Sequence, residues 1–169
     1  MAKGMGDPEL MMVNFQPILD RQKKMVGVAA SSIYLSQFGR FLTSLEIGKT
    51  GQAFVIDEQG KLIATSTGEI PFRKQKGKNY PETLITENRR IAAEDSNNPS
   101  TATGMQTILS KDGKPDGIVQ PRQLNFSQSG VRYLMQIVPF DKGDLNWRTV
   151  IIVPETDFMG YINQNARHN

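Results

Sequence analysis

Apolar and polar residues alternate in two short runs near the start of the chain, "VNFQPILD" at Val13–Asp20 and "MVGVAASSI" at Met25–Ile33, with the polar turn "RQKK" between them. Runs of this length broken by turn residues predict an antiparallel hairpin. Pro17 cannot donate to a ladder, which puts the first run at a sheet edge. The period then changes. In "LSQFGRFLTSLEIG", Leu35, Phe38, Phe41, Leu42 and Leu45 recur at three- and four-residue spacing. That is the stripe of an amphipathic helix near Ser36–Leu45, stopped by Gly48. After the Gly-rich hinge "IGKTG", Gly51–Thr67 ("GQAFVIDEQGKLIATST") reads as a second hairpin, its apolar runs broken by "DEQG". Phe54 and Ile56 share one face of its first strand and Ala53 and Val55 the other, so cover is expected on both sides.

Residues Glu69–Asn79 include the basic loop "FRKQKGKN", which reads as a solvated linker or as a contact for an anion. "PETLITENRRIAAED" predicts a helix near Pro81–Glu94, with Leu84, Ile85, Asn88, Ile91 and Ala92 along one face. Asn98-Pro99 can open another helix through "STATGMQTILS", ending before Asp112-Gly113. The remainder is strand-rich: "RQLNFSQ", "VRYLMQIVPF" and "WRTVIIVPE", separated by the turns "SG" and "DKGDLN". A final helix, "TDFMGYINQNA", starts at Glu155 or Thr156, with Phe158, Met159 and Ile162 on one side. The predicted class is α+β, with about five antiparallel strands drawn from Gly51–Thr67 and Leu124–Glu155 and flanking helices. This is the plan of a PAS-like sensor fold, with a helix on one sheet face and a ligand cavity on the other.

Composition narrows the chemistry. The 169 residues make one domain, or one domain and a piece of another, and 38% apolar with 22% charged residues suits a globular chain. A net charge of +3 without a clustered basic face argues against nucleic acid as a partner. Cysteine is absent and the sole histidine, His168, is next to last. Thiolate or imidazole metal sites, Ser-His-Asp catalysis and axial haem ligation are therefore not expected, and neither is a cofactor. Adjacent Asp57 and Glu58 would point to opposite faces of a strand, and Glu94 with Asp95 falls at a helix end, so neither pair reads as an acid/base couple. No run reaches the roughly 18 to 20 apolar residues of a membrane span. The leader "MAKGMGDPEL" has no signal-peptide core, and residues 1–12 read as an appended linker.

The stretches "GVAASSIYLSQFGRFLTSLEIGKTGQAFVIDEQGKLIATS", "NRRIAAEDSNNP" and "LNWRTVIIVPETDFMG" resemble the double Cache extracellular sensor family. The most specific signal is "IGKTGQAFVID" followed by "WRTVIIVPE", and the resemblance runs from about Asn14 to Ile162. It is closest to versions in bacterial, cyanobacterial-type adenylate or guanylate cyclases and in histidine kinases. The resemblance implies that residues 13–33 are the terminal hairpin of a truncated membrane-distal module and 34–50 a connecting helix. Residues 51–155 would be a membrane-proximal PAS-like module, and 156–169 a helix leading toward a membrane span. The leading helix and most of the distal module, where amino-acid-sensing members carry their ligand motif, are missing.

What the resemblance implies is the extracytoplasmic part of an inner-membrane receptor that senses a small molecule and regulates a cytoplasmic cyclase or kinase. The alternative is a dimerisation and transmission module without its own ligand; a small hydrolase or an intracellular PAS domain fits less well. In "VRYLMQIV", Arg132, Leu134, Gln136 and Val138 lie on one face, and Tyr133, Met135 and Ile137 on the other. The candidate ligand-binding residues are Phe54, Thr65, Arg132, Tyr133 and Gln136, although two faces of one strand cannot line one pocket. An arginine in such a pocket favours a carboxylate or an amino acid. Phe158 and Met159 are the candidates for signal transmission, packing the final helix on the sheet's end. Trp147 reads as a core anchor. The first hairpin would expose Phe15, Ile18, Val26 and Val28 and pair across chains, so a homodimer is expected.

Overall fold

The two apolar runs at the start pair as written: β1 (Met11–Leu19) and β2 (Met25–Tyr34) form an antiparallel two-stranded sheet. The computed structural model describes residues 10–73, 90–143 and 145–158. Pro17 sits opposite Val28 on a strand with no second neighbour among the described residues, where its missing N–H costs no ladder bond. Phe15, Val26 and Val28 are more than half exposed, and Ile18 nearly so. Among the described residues the ribbon is anchored at its base, where Leu10 and Met12 pack on the next unit and the Leu10 carbonyl accepts the Leu35 N–H.

Helix α1 (Ser36–Ser44) follows, and its buried stripe is narrower than the periodicity predicts. Leu35 and Leu42 are buried and Phe38 packs edge-on against Trp147, while Phe41 and Leu45 face solvent. Trp147 is accordingly half-buried in this smaller cluster and not deep in the main core.

β3 (Gln52–Ile56), β4 (Leu62–Thr65), β5 (Arg122–Gln128), β6 (Val131–Lys142) and β7 (Leu145–Pro154) form one sheet in the order β4-β3-β7-β6-β5. Every pairing is antiparallel. The alternation along β3 divides two cores. Phe54 and Ile56 enter the larger one with Leu62, Met105, Ile108, Met135, Ile137, Val150 and Ile152. Ala53 and Val55 enter the smaller one with Leu35, Leu42, Ile63 and Ala64 beneath α1.

The larger core is closed by α2 (Pro99–Asp112). Asn98 caps it by accepting the Thr101 N–H at 3.0 Å, with Pro99 at the first helical position, where a missing N–H is harmless. Gly104 lets this helix lie close on the sheet, since a Cβ there would meet Ile152 Cδ1 at 2.7 Å.

Two expectations need correction. Of the helix predicted at Pro81–Glu94, residues 81–89 lie outside the described residues, and its end is not α-helical. Ile91 is extended beside β4: its N–H donates to Pro71 and its carbonyl accepts from Leu62, with a one-turn 3₁₀ helix only at Ala93–Asp95. These two backbone bonds hold Ile91 out of a helix, and its side chain is buried in the larger core. Secondly, residues 156–158 begin a helical turn in which Phe158 is half-exposed instead of packed, while Asp157 is buried. Met159 and Ile162 lie outside the described residues. No helix among the described residues is long and apolar enough to cross a membrane.

Candidate ligand cleft and the clamp on the C-terminal helix

The hinge "IGKTG" between α1 and β3 is held by a residue more than a hundred positions away. The N–H groups of Lys49 and Thr50 both donate to Asp157 Oδ2 at 2.8 Å, and the Thr50 hydroxyl donates to Oδ1 at 3.0 Å. Glycine makes the approach possible. Gly48 has φ +60°, and a Cβ there would stand 2.7 Å from the same carboxylate oxygen. Burial pushes the Asp157 pKa up, but the bonds from Thr50, the Lys49 N–H and the Lys49 charge outweigh it and hold the carboxyl below its ordinary value. Through these bonds the first turn after β7 is tied to the loop leaving α1.

On its other side α1 walls a cleft of about 400 Å³. Ile63, Ala64 and Thr65 of β4 form the floor, Leu10 and Leu35 one end, and Ile70, Pro71 and Phe72 the opposite lip. Ser36, Gly39, Arg40 and Thr43 face it along one stripe of the helix, at spacings of three and four residues. Thr43 donates to the Gly39 and Ser66 carbonyls, which fastens α1 to the end of β4. The acidic member, Glu69, is already engaged: it accepts from the Ser96 hydroxyl and from the Asn97 N–H at 2.8 Å.

The five candidate ligand residues do not meet in one cavity. Thr65 lines the cleft, with its hydroxyl donating to the Glu69 carbonyl at 3.3 Å. Phe54 is wholly buried in the larger core. Tyr133 stacks on Phe126 with ring centres 5.1 Å apart at the edge of that core. On the opposite face, Arg132 pairs with Glu155 at 3.3 Å in solvent and Gln136 accepts from Gln123 at 3.2 Å. Gln136 also borders an open groove with Leu134, Val138 and Phe158.

Three polar anchors escape a reading of the sequence. Arg148 is 1% exposed, and its Nε and Nη2 donate to the carbonyls of Pro115 and Asp116 at 2.9 and 3.1 Å. Its Nη1 reaches Asp141 at 3.1 Å and the Trp147 carbonyl at 3.0 Å. Arg90 pairs with Asp57 at 2.6 Å and donates to the Lys61 and Leu62 carbonyls, so Asp57 holds a turn and an ion pair. Asp157 is the third. Nothing local in the sequence names partners so distant. Among the described residues no group of three or more acidic or imidazole side chains could hold a metal.

A five-stranded antiparallel sheet with α1 packed on one face and α2 on the other defines an α+β domain of PAS-like architecture. The family model of the Cache domain matches residues 5–162, and the chain belongs to that family. Cache domains are non-enzymatic, extracytoplasmic sensor domains of membrane receptors. Among solved structures, the fold is similar to the periplasmic sensory domain of the Campylobacter jejuni chemoreceptor Tlp1, at 13% identity and TM-score 0.53 over 89% of this chain and 48% of that one. It is also similar to the extracellular domain of mmHK1S-Z3, a protein assigned as a histidine kinase, at 13% identity and TM-score 0.52 over 92% of this chain and 48% of that one. A sister domain, mmHK1S-Z2, gives 15% identity and TM-score 0.51 over 89% and 48%. The chain thus spans about half the length of these structures.

Proposed function

We propose that the chain is the ligand-sensing and signal-transmitting part of an inner-membrane receptor whose cytoplasmic output is a cyclase or a histidine kinase. The observation that carries this reading is the Asp157 clamp, which joins the loop leaving α1 to the start of the C-terminal helix. A displacement of α1 by a bound molecule is delivered to that helix through three hydrogen bonds. Coupling of this kind requires only that the ligand bind one arrangement better than the other. Residues 51–155 are the sensory module in this proposal, and residues 13–33 belong to a neighbouring, truncated module. The separate two-stranded sheet supports that division. Phe158 and Met159 carry the movement onward.

A thermal-shift screen of amino acids, organic acids, nucleobases and amines tests the sensing half of the proposal. A specific binder raises the midpoint with concentration by mass action. If no compound does, the chain transmits without a ligand of its own. That second reading, a dimerisation and transmission module, draws support from the exposed ribbon of Phe15, Leu19, Met25 and Val28, an apolar surface suited to a second copy.

A further inference from the structure

We infer that the cleft between α1 and β4 binds a small molecule with an apolar body and one carboxylate, and that Arg40 receives the carboxylate. The inference rests on the sensing reading above and names the ligand class and the site.

The cleft has the size of a small-molecule site and its walls are mostly apolar. Ile63 and Ala64 are buried beneath it, Leu35 and Phe72 close its sides, and Ile70 stands 48% exposed at its lip. An exposed isoleucine over an apolar hollow gains cover when a hydrocarbon fills it. Gly39 keeps the hollow open on the helix side. The nearest atom to a Cβ at that position is the Thr65 carbonyl oxygen, at 3.7 Å, so a small residue is not forced there by crowding.

Charge selects the head group. Arg40 lies one turn from Ser36 and from Thr43 on the same stripe, and its guanidinium has no hydrogen bond or ion pair among the described residues. Glu69, the only acidic lining residue among the described residues, is held by Ser96 and Asn97. Glu69 keeps its charge but has its oxygens turned to those donors, so the open hydrogen-bonding group is the Arg40 guanidinium, which can donate two parallel N–H···O bonds to a carboxylate. A neutral hydrocarbon would leave that fork unused, and a cation would meet it as a like charge.

The test is titration of the intact chain with octanoate and with octanamide, followed by backbone amide NMR and calorimetry. Saturable binding of octanoate is expected, with shifts centred on Ser36, Gly39, Thr65 and Ile70. Octanamide should bind at least about tenfold more weakly, and Arg40→Gln, on an exposed side chain, should reduce octanoate to the level of the amide. Three results overturn the inference: no saturation by octanoate, shifts centred instead on the Leu134–Val138 groove, or equal binding of acid and amide. None of these touches the transmission reading, which is judged by the effect of Asp157 on receptor output.

Discussion

Thr50 and Asp157 are joined twice, through the Thr50 N–H at 2.8 Å and its hydroxyl at 3.0 Å, across 107 positions of sequence. The bond pair fixes the exit of α1 relative to the entry of the last helix. Removing the carboxylate leaves two backbone N–H groups without their acceptor, so Asp157→Ala should cost about 2 kcal/mol of unfolding free energy. Gly48→Ala should act in the same direction, because it needs a left-handed backbone and crowds the same oxygen. Denaturant melts of both variants check this, and a midpoint within error of the parent would show the clamp to be energetically idle.

Acid should loosen the clamp. The folded pKa of Asp157 is depressed, so its contribution is fully present above the ordinary carboxylate value of about 3.9 and is lost as pH falls through the lower folded value. The parent should therefore lose more thermal stability than Asp157→Asn does between pH 5 and 3. Parallel pH profiles for the two proteins would contradict the assignment.

The two helix glycines should respond oppositely. At Gly39 a Cβ meets nothing closer than 3.7 Å, so Gly39→Ala should stabilise by about 0.5–1 kcal/mol through helix propensity. At Gly104 the same Cβ strikes Ile152 in a filled core, and Gly104→Val should destabilise by about 1–3 kcal/mol through overpacking. Paired unfolding curves separate them by sign.

Replacing Arg148 removes its donors from the Pro115 carbonyl, which keeps the Ile118 N–H, and from the part-buried Asp116 carbonyl. Arg148→Met should cost about 3 kcal/mol, and Arg148→Lys should recover little of it, since one ammonium cannot reproduce the planar fork. Recovery of most of the loss by lysine would mean that charge alone matters there.

The exposed ribbon predicts association. Light scattering at micromolar concentration should report a dimer, and Phe15→Ser with Val28→Ser should shift it toward monomer. A monomer in the parent protein would remove the ribbon as a docking surface for a second copy.

Strand content was legible because alternation is a local signal. The split of Phe54 and Ile56 from Ala53 and Val55 is found as the period of two requires, with a separate core on each side. The end of the second predicted helix was not legible, because Ile91 completes a helical spacing in sequence yet is drawn out by two backbone bonds to Pro71 and Leu62. The polar anchors were hidden for a different reason. Arg148 sits at an inward position of β7, and a charge there reads as an exception until its carbonyl partners on the Pro115 turn are known. The clamp required the spatial meeting of "IGKTG" and "PETDF", which no local period encodes. Arg40 lies off the apolar stripe of its helix, and a charged residue on that face reads as solvated.

The most direct test of the account is the basal output of the intact membrane receptor carrying Asp157→Asn, compared with the parent at equal expression. If the clamp sets the position of the C-terminal helix, output should change by about fivefold or more, while affinity for a bound ligand changes far less. An unchanged output in a folded, correctly inserted variant would contradict the proposal that this hinge carries the signal.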